Sequence, residues 1–236
     1  MACATILTIG NELVSGDVPN TNASWLARRL APLGVSVRLL AAVPDEIDAI
    51  AEFVRVEAAR SDFLIVTGGL GGTPDDITRE GISHAFGLLQ EEIAELAEDL
   101  RARFTRAPEY AARWAQLPAG ARPLANPLGG APGFVVENVY VLPGLPSEME
   151  AMFDSIGDEF RRGTPIGSWR RAFRTRESTI SPLLIEAGER HPAVLVGSYP
   201  SFQGEPEVEV VLKSSDADEL ATVVAWLEPA LERLSG

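Results

Sequence analysis

The chain has 236 residues, 46% of them hydrophobic, with a formal net charge of −14 and a sequence pI of about 4.6. That length suits one large domain or one domain with a small appendage, and the acidity argues against nucleic acid and anionic membrane as primary partners, because both are polyanions. A single cysteine, Cys3, excludes an internal disulfide, and with only His84 and His191 a histidine-rich zinc site is not expected.

In chain order, the first half alternates short apolar runs with helical patterns, which predicts βαβ units and a parallel sheet. Ala4–Ile9 reads as a strand with no basic signal region before it, and no apolar run reaches membrane-spanning length, so a cytoplasmic protein is expected. A polar loop leads to a predicted helix from about Asn22 to Leu33, with Trp25, Leu26 and Leu30 on one face, ended by Gly34. Then come a strand, Val35–Leu40, a turn at Pro44, and a helix from Asp45 to about Arg60 with Ile47, Ile50, Ala51 and Val54 inward. Strand Phe63–Thr67 runs into a four-glycine loop, after which Asp75 or Asp76 is placed to cap a helix that Gly87 stops.

Glu91 to Gln116 reads as a helical hairpin broken at Pro108, and Pro118 to Pro132 as an irregular loop. Phe134–Val136 and Val139–Leu142 form a predicted hairpin turned by Glu137 and Asn138. A second Pro/Gly loop, Pro143 to Ser147, opens a helix to about Phe160, and 161–169 reads as a linker. The remainder predicts strand (Arg171–Arg176), helix (Pro182–Arg190), strand (Ala193–Val196), strand (Glu207–Leu212) and helix (Ala217–Leu234). The expected architecture is α/β: a three-layer αβα sandwich with a mostly parallel sheet over 1–165, and a small C-terminal α+β subdomain over 166–236.

Right-handed crossovers bring the loops that follow parallel strands to one sheet edge, where ligands of open α/β folds bind. The first such loop carries Gly10, Asn11, Glu12, Ser15, Gly16, Asp17 and then Thr21 and Asn22. The second carries Thr67, Gly68, Gly69, Leu70, Gly71, Gly72 and Thr73, then Asp75, Asp76 and Thr78. The Pro143 loop adds Gly144, Pro146, Ser147 and Glu148. Glycines let backbone amides approach an anion, while carboxylates beside phosphate repel it unless a cation lies between. The pattern therefore points to a diphosphate held with Mg²⁺ or a similar divalent metal. Ordinary readings compete: Asp75 or Asp76 as a cap, Glu12 and Asp17 as loop polarity, Ser198 and Tyr199 as a turn or a cleft lining, His84 as structural or surface. Six arginines between Arg161 and Arg176 read as a solvated face or as intersubunit salt bridges, with an anion site as the alternative. No Gly-Lys-Ser/Thr phosphate loop, dinucleotide fingerprint or Gly-x-Ser-x-Gly elbow is present.

Taken in register, these segments resemble the MoaB/MogA-type molybdopterin-binding fold and, within it, the N-terminal domain of competence-damage-inducible CinA-type proteins. The resemblance rests on Ile9 to Gly16 with Asp17 and Thr21 to Ala23, Thr67 to Asp76 with Thr78 to Glu80, Asn126-Pro127 with Ala131 to Phe134, Leu142 to Met149, and Gly197 to Pro200. Gly72 stands where proline is expected in the closest relatives. The sequence stops at Gly236, so the deamidase domain fused in full-length CinA proteins, and its activity, are not expected here. The resemblance implies a nucleotide or pterin phosphate as ligand and a metal-dependent pyrophosphatase acting on ADP-ribose or a dinucleotide such as FAD. In that reading Asp75, Asp76 and Asp17 are catalytic, and Asp75, Asp76, Asp17 and Glu12 hold the metal. The amides of Gly69 to Gly72 stabilise charge at phosphorus. The alternative is a non-catalytic molybdopterin-binding module or a molybdenum-cofactor biosynthesis protein. A homo-oligomer, dimer or trimer, and a separately encoded deamidase partner are also implied.

Overall fold

The computed structural model describes residues 2–201 and 207–235, and the chain divides into two compact units. The first unit holds Met1–Leu30 and Val35–Arg161. Its strands are β1 (Ala2–Ile9), β2 (Val35–Val43), β3 (Phe63–Thr67), β4 (Gln90–Glu92), β5 (Gln116–Pro118), β6 (Arg122–Leu124), β7 (Gly133–Val136) and β8 (Val139–Leu142). Its helices are α1 (Asn11–Val14), α2 (Thr21–Leu30), α3 (Ile47–Ala58), α4 (Thr78–Phe86), α5 (Ala94–Arg103), α6 (Pro108–Ala112) and α7 (Pro146–Ile156), with short 3-10 turns at Arg113–Ala115 and Gly157–Phe160.

The central sheet runs β2-β1-β3-β8-β7-β6, with β1 parallel to β2 and β3, β3 parallel to β8, and β7 and β6 antiparallel. All five residues of β3 are buried, as a strand covered on both faces requires. Alternate residues face opposite layers. Leu7, Leu64 and Val66 pack with Ile50 and Val54 of α3 and Ile82 of α4, whereas α2 and α7 pack on each other in the other layer. There Trp25, Phe153, Phe160 and Phe63 form an aromatic chain with ring centroids 5.1 to 5.5 Å apart. The expected αβα sandwich is thus present.

The second unit holds Ala31–Gly34 and Arg162–Gly236. An antiparallel sheet, β10-β11-β9, is built from β9 (Gly167–Phe173), β10 (Leu195–Ser201) and β11 (Glu207–Ser214). α8 (Glu177–Arg190) and α9 (Ala217–Arg233) close a separate core in which Phe173, Ile180, Val210 and Leu227 are buried. Arg170 pairs with Glu209, and Arg171 with Glu228 and Glu232, so this part of the arginine cluster forms surface ion pairs inside the chain.

Several local expectations are corrected. α8 begins at Glu177, upstream of Pro182, which the helix accommodates. Residues 90–92 and 116–118 pair as strands instead of belonging to a helical hairpin and a loop; three-residue strands are too short to show a period of two. The cap of α4 is Ile77, without a side-chain capping bond, so neither Asp75 nor Asp76 caps it. Gly87 does close that helix, in the left-handed conformation.

Candidate functional site

The carboxyl ends of β1, β2, β3 and β8 open at one edge of the sheet, stitched together by Gly10 N–H to Val43 O (3.1 Å) and Gly68 N–H to Leu142 O (3.2 Å). The glycine loop lies across that edge. Gly68 has φ +112°, and a Cβ there would come 2.2 Å from the carbonyl oxygen of Ile9, so a side chain would push the loop off β1.

Every carbonyl from Gly68 to Gly71 is tied inward. Thr78 Oγ1 donates to Gly68 O (2.8 Å), Thr78 N–H to Gly69 O (3.2 Å), Arg79 Nη2 to Leu70 O (2.8 Å) and Trp114 Nε1 to Gly71 O (3.1 Å). Asp76 grips the other side of the loop, accepting from Gly71 N–H (2.9 Å), Thr73 N–H (2.7 Å) and Thr73 Oγ1 (2.5 Å). The amides of Gly69, Leu70 and Gly72 have no partner among the described residues. Three N–H groups left without partners on a loop whose carbonyls are occupied elsewhere are chemically able to receive an anion.

Neighbouring loops complete the edge. Thr67 Oγ1 donates to Pro143 O (2.5 Å), and Asn22 Nδ2 to Thr67 Oγ1 (3.1 Å) and Gly144 O (2.8 Å), which binds the first, second and third loops together. Asn22 Oδ1 is buried without a partner. Asn20, not singled out in the sequence, accepts from Ala23 N–H (3.1 Å) and so starts α2, while its Nδ2 donates to Thr8 Oγ1 (2.7 Å). Glu148 accepts from Asn126 Nδ2 (2.9 Å).

Three adjoining cavities line this edge. One of about 110 Å³ is bounded by Glu12, Asn22, Thr67 and Gly144; one of about 330 Å³ by Gly69, Leu70, Gly144 and Glu148; one of about 220 Å³ by Gly72, Asp76 and Arg79. Ser15 and Asp17 line none of them, and Ser15 Oγ donates to Asp17 (2.6 Å). Ser198 and Tyr199 stand on β10 of the second unit, with Ser198 donating to Glu177.

The acids divide by environment. Asp45, read in the sequence only as a helix start, accepts from Asn11 N–H (2.8 Å) and is held above the usual carboxylate range by burial first, then by repulsion from Glu12, Asp75 and Asp76. Its position after a fourth parallel strand was the available signal, since that loop reaches the same edge. Asp75 is exposed and held below the usual range, chiefly by the Thr73 hydroxyl and also by its own backbone N–H. Both oxygens of Asp76 are committed to the loop. Among the described residues no three His, Cys, Asp or Glu side chains converge as a metal-holding group, so Glu12, Asp17, Asp75 and Asp76 do not form a chelate by themselves. Magnesium typically uses only one or two carboxylates and completes its shell with substrate phosphates and water. Asp75, exposed and kept charged, offers one such carboxylate from the glycine loop, although like Ser15 and Asp17 it lines none of the three cavities.

Residues 5–162 match the family model described as a probable molybdopterin binding domain. The chain belongs to that family. Residues 172–235 match the model of the FAD synthase middle domain. Among relatives, a CinA-like protein of Frankia casuarinae is 37% identical over 99% of this chain and 59% of its own length, so the chain spans only part of it. A protein of Archaeoglobus fulgidus is 37% identical over 83% of this chain and 84% of its own. The crystal structure of CinA from Thermoplasma acidophilum aligns with a TM-score of 0.64 at 33% identity, over 68% of this chain and 99% of that one. Among the described residues no helix is long and apolar enough to cross a membrane.

Proposed function

We propose that this edge binds the diphosphate of a nucleotide and hydrolyses its phosphoanhydride with a divalent metal. The observation that carries the reading is the loop whose carbonyls from Gly68 to Gly71 are all engaged while the amides of Gly69, Leu70 and Gly72 are not, with exposed Asp75 alongside. Asp75, with Glu12 or Asp45 nearby, would hold the metal, which when bound supplies charge neutralisation of the phosphates. The amides stabilise the charge that grows on the non-bridging phosphoryl oxygens. Water attacks one phosphorus, the bridging P–O bond breaks, and the water proton passes to solvent or to a carboxylate at the mouth. ADP-ribose would yield AMP and ribose 5-phosphate; FAD would yield AMP and FMN. The match of the second unit to the FAD synthase middle domain makes FAD the dinucleotide to test beside ADP-ribose.

The experiment is chromatographic analysis of ADP-ribose and FAD incubated with the protein and Mg²⁺, Mn²⁺ or Co²⁺, alongside Asp75→Asn. Metal-dependent AMP release that Asp75→Asn lowers at least tenfold supports the reading; release unaffected by that substitution refutes the role of Asp75. Binding without turnover favours the second reading, a non-catalytic pterin-phosphate module, which the absence of a three-acid group among the described residues and the family description both support. A cytoplasmic homo-oligomer, and a separately encoded deamidase as partner, belong to the same proposal and are read by light scattering and co-purification.

A further inference from the structure

Arg79 carries a buried charge that makes no contact ion pair among the described residues. Its side chain is 5% exposed, its Nη2 donates to Leu70 O (2.8 Å), and its Nε has no partner. Burial lowers its pKa to about 10, so it stays protonated near neutrality. Glu80 and then Asp76 act on it through space, but the oxygens of Asp76 are taken by Gly71 and Thr73, and Arg79 forms no ion pair with either among the described residues. A buried cation without an acid is costly unless something else accepts its protons.

That side chain lines the cavity of about 220 Å³ on the flank of the glycine loop, together with Gly72, Tyr110, Arg113, Trp114 and Gln116. Two aromatic rings form part of its wall. Trp114 is fixed by its indole bond to Gly71 O and by an edge contact with Phe104 (5.1 Å, 89°), and Tyr110 meets it at 5.9 Å and 67° while remaining 43% exposed. Gly72 is what admits Tyr110: a Cβ at that position would lie 2.0 Å from the tyrosine hydroxyl. The glycine at 72, met in the sequence as a departure from an expected proline, thus makes room for an aromatic wall.

The cavity also contains Asp76 and Glu80, whose carboxylates repel a phosphate. Two guanidinium groups, Arg79 and Arg113, offset those two acids, and with the Thr73 hydroxyl and the Gln90 and Gln116 carboxamides they offer donors and acceptors to the carbonyl and ring-nitrogen edges of a neutral heterocycle. We propose that this cavity is a ring subsite, taking the heteroaromatic base or flavin-like ring carried by the phosphate-bearing ligand, with Tyr110 as a stacking face and Arg79 as donor to a ring acceptor. The proposal rests on the reading above that the phosphates occupy the Gly69–Gly72 amides.

Calorimetric titration of the full chain in Mg²⁺ with AMP, FMN and ribose 5-phosphate tests it. Wild-type protein is expected to bind AMP or FMN at least tenfold more tightly than ribose 5-phosphate. Tyr110→Ala should erase most of that difference, a loss on the order of tenfold from one stacking face, while leaving ribose 5-phosphate affinity unchanged; Tyr110→Phe should restore it. The proposal is overturned if Tyr110→Ala leaves both nucleotides unaffected, or weakens ribose 5-phosphate equally. If wild-type protein binds ribose 5-phosphate as tightly as AMP and FMN, the ring subsite alone fails. If it binds none of the three, the phosphate reading itself fails.

Discussion

Replacing Asp76 by Asn separates two adjacent acids that the sequence could not tell apart. Asp76 Oδ2 accepts from both Thr73 N–H (2.7 Å) and Thr73 Oγ1 (2.5 Å), and Oδ1 from Gly71 N–H (2.9 Å). A carboxamide keeps one acceptor oxygen and puts an NH₂ where an acceptor stood, so it must abandon at least one of those N–H groups. A hydrogen bond to a charged group contributes about 1.5–3 kcal/mol; with the loop half-exposed, a net loss of about 2 kcal/mol is the reasonable figure. For a domain of this size that lowers Tm by about 4–8 °C. Two measurements read it together: thermal unfolding by circular dichroism, and amide hydrogen exchange at Gly71 and Thr73, which should accelerate at least tenfold. Affinity for a phosphate ligand should fall with the loop. Unchanged exchange at Gly71 and Thr73 with an unchanged Tm would refute the assignment of Asp76 as the loop's organiser.

Other substitutions probe the same construction. Thr78→Val, which keeps the buried shape but removes the donor to Gly68 O, should cost about 1–3 kcal/mol in urea unfolding. Gly68→Ala should weaken phosphate binding more than Gly129→Ala, measured by titration, because both glycines have positive φ but only at Gly68 does a Cβ meet backbone, 2.2 Å from Ile9 O. Asp45 gives a pH signature: its folded-state pKa is raised, so the folded state holds a proton the unfolded chain releases. Its contribution is therefore most favourable below the ordinary value of 3.8 and is lost as pH rises through the raised pKa. Asp45→Asn should flatten that part of the stability-versus-pH curve and raise Tm at pH 7, and an unchanged curve would count against the acid cluster.

The sandwich was legible because its signals repeat: apolar strands, helices with one apolar face, and turn glycines such as Gly87 at helix ends. The hairpin at Glu137 and Asn138 was legible for the same reason, although Glu137 takes φ 52°, an uncommon conformation for a residue with a side chain. The β4–β5 pair was not, since three residues carry no period and their pairing spans a helical insertion. Within the site, residue types and loop positions could be read, but roles could not. The hydrogen bonds by which Thr78 anchors Gly68 O and Asp76 holds the Gly71 amide have no counterpart in residue type or spacing. Arg79 reads only as part of the Thr78 to Glu80 motif, and Tyr110 and Trp114 do not stand out, because the three lie on α4, α6 and the following 3-10 turn, too far apart in the chain for any spacing to show a shared cavity wall.

Anchored carbonyls also bear on how fast a ligand arrives. A loop already set in shape requires no closing step, so association should follow diffusion and the long-range field. That field is adverse, because a chain of net charge −14 repels any phosphate. Raising ionic strength screens the repulsion beyond about 10 Å at 0.1 M salt, so the on-rate for a nucleotide should increase with salt while the short-range grip of the amides persists. Metal-complexed nucleotide, carrying less negative charge, should show a weaker salt dependence than the free anion.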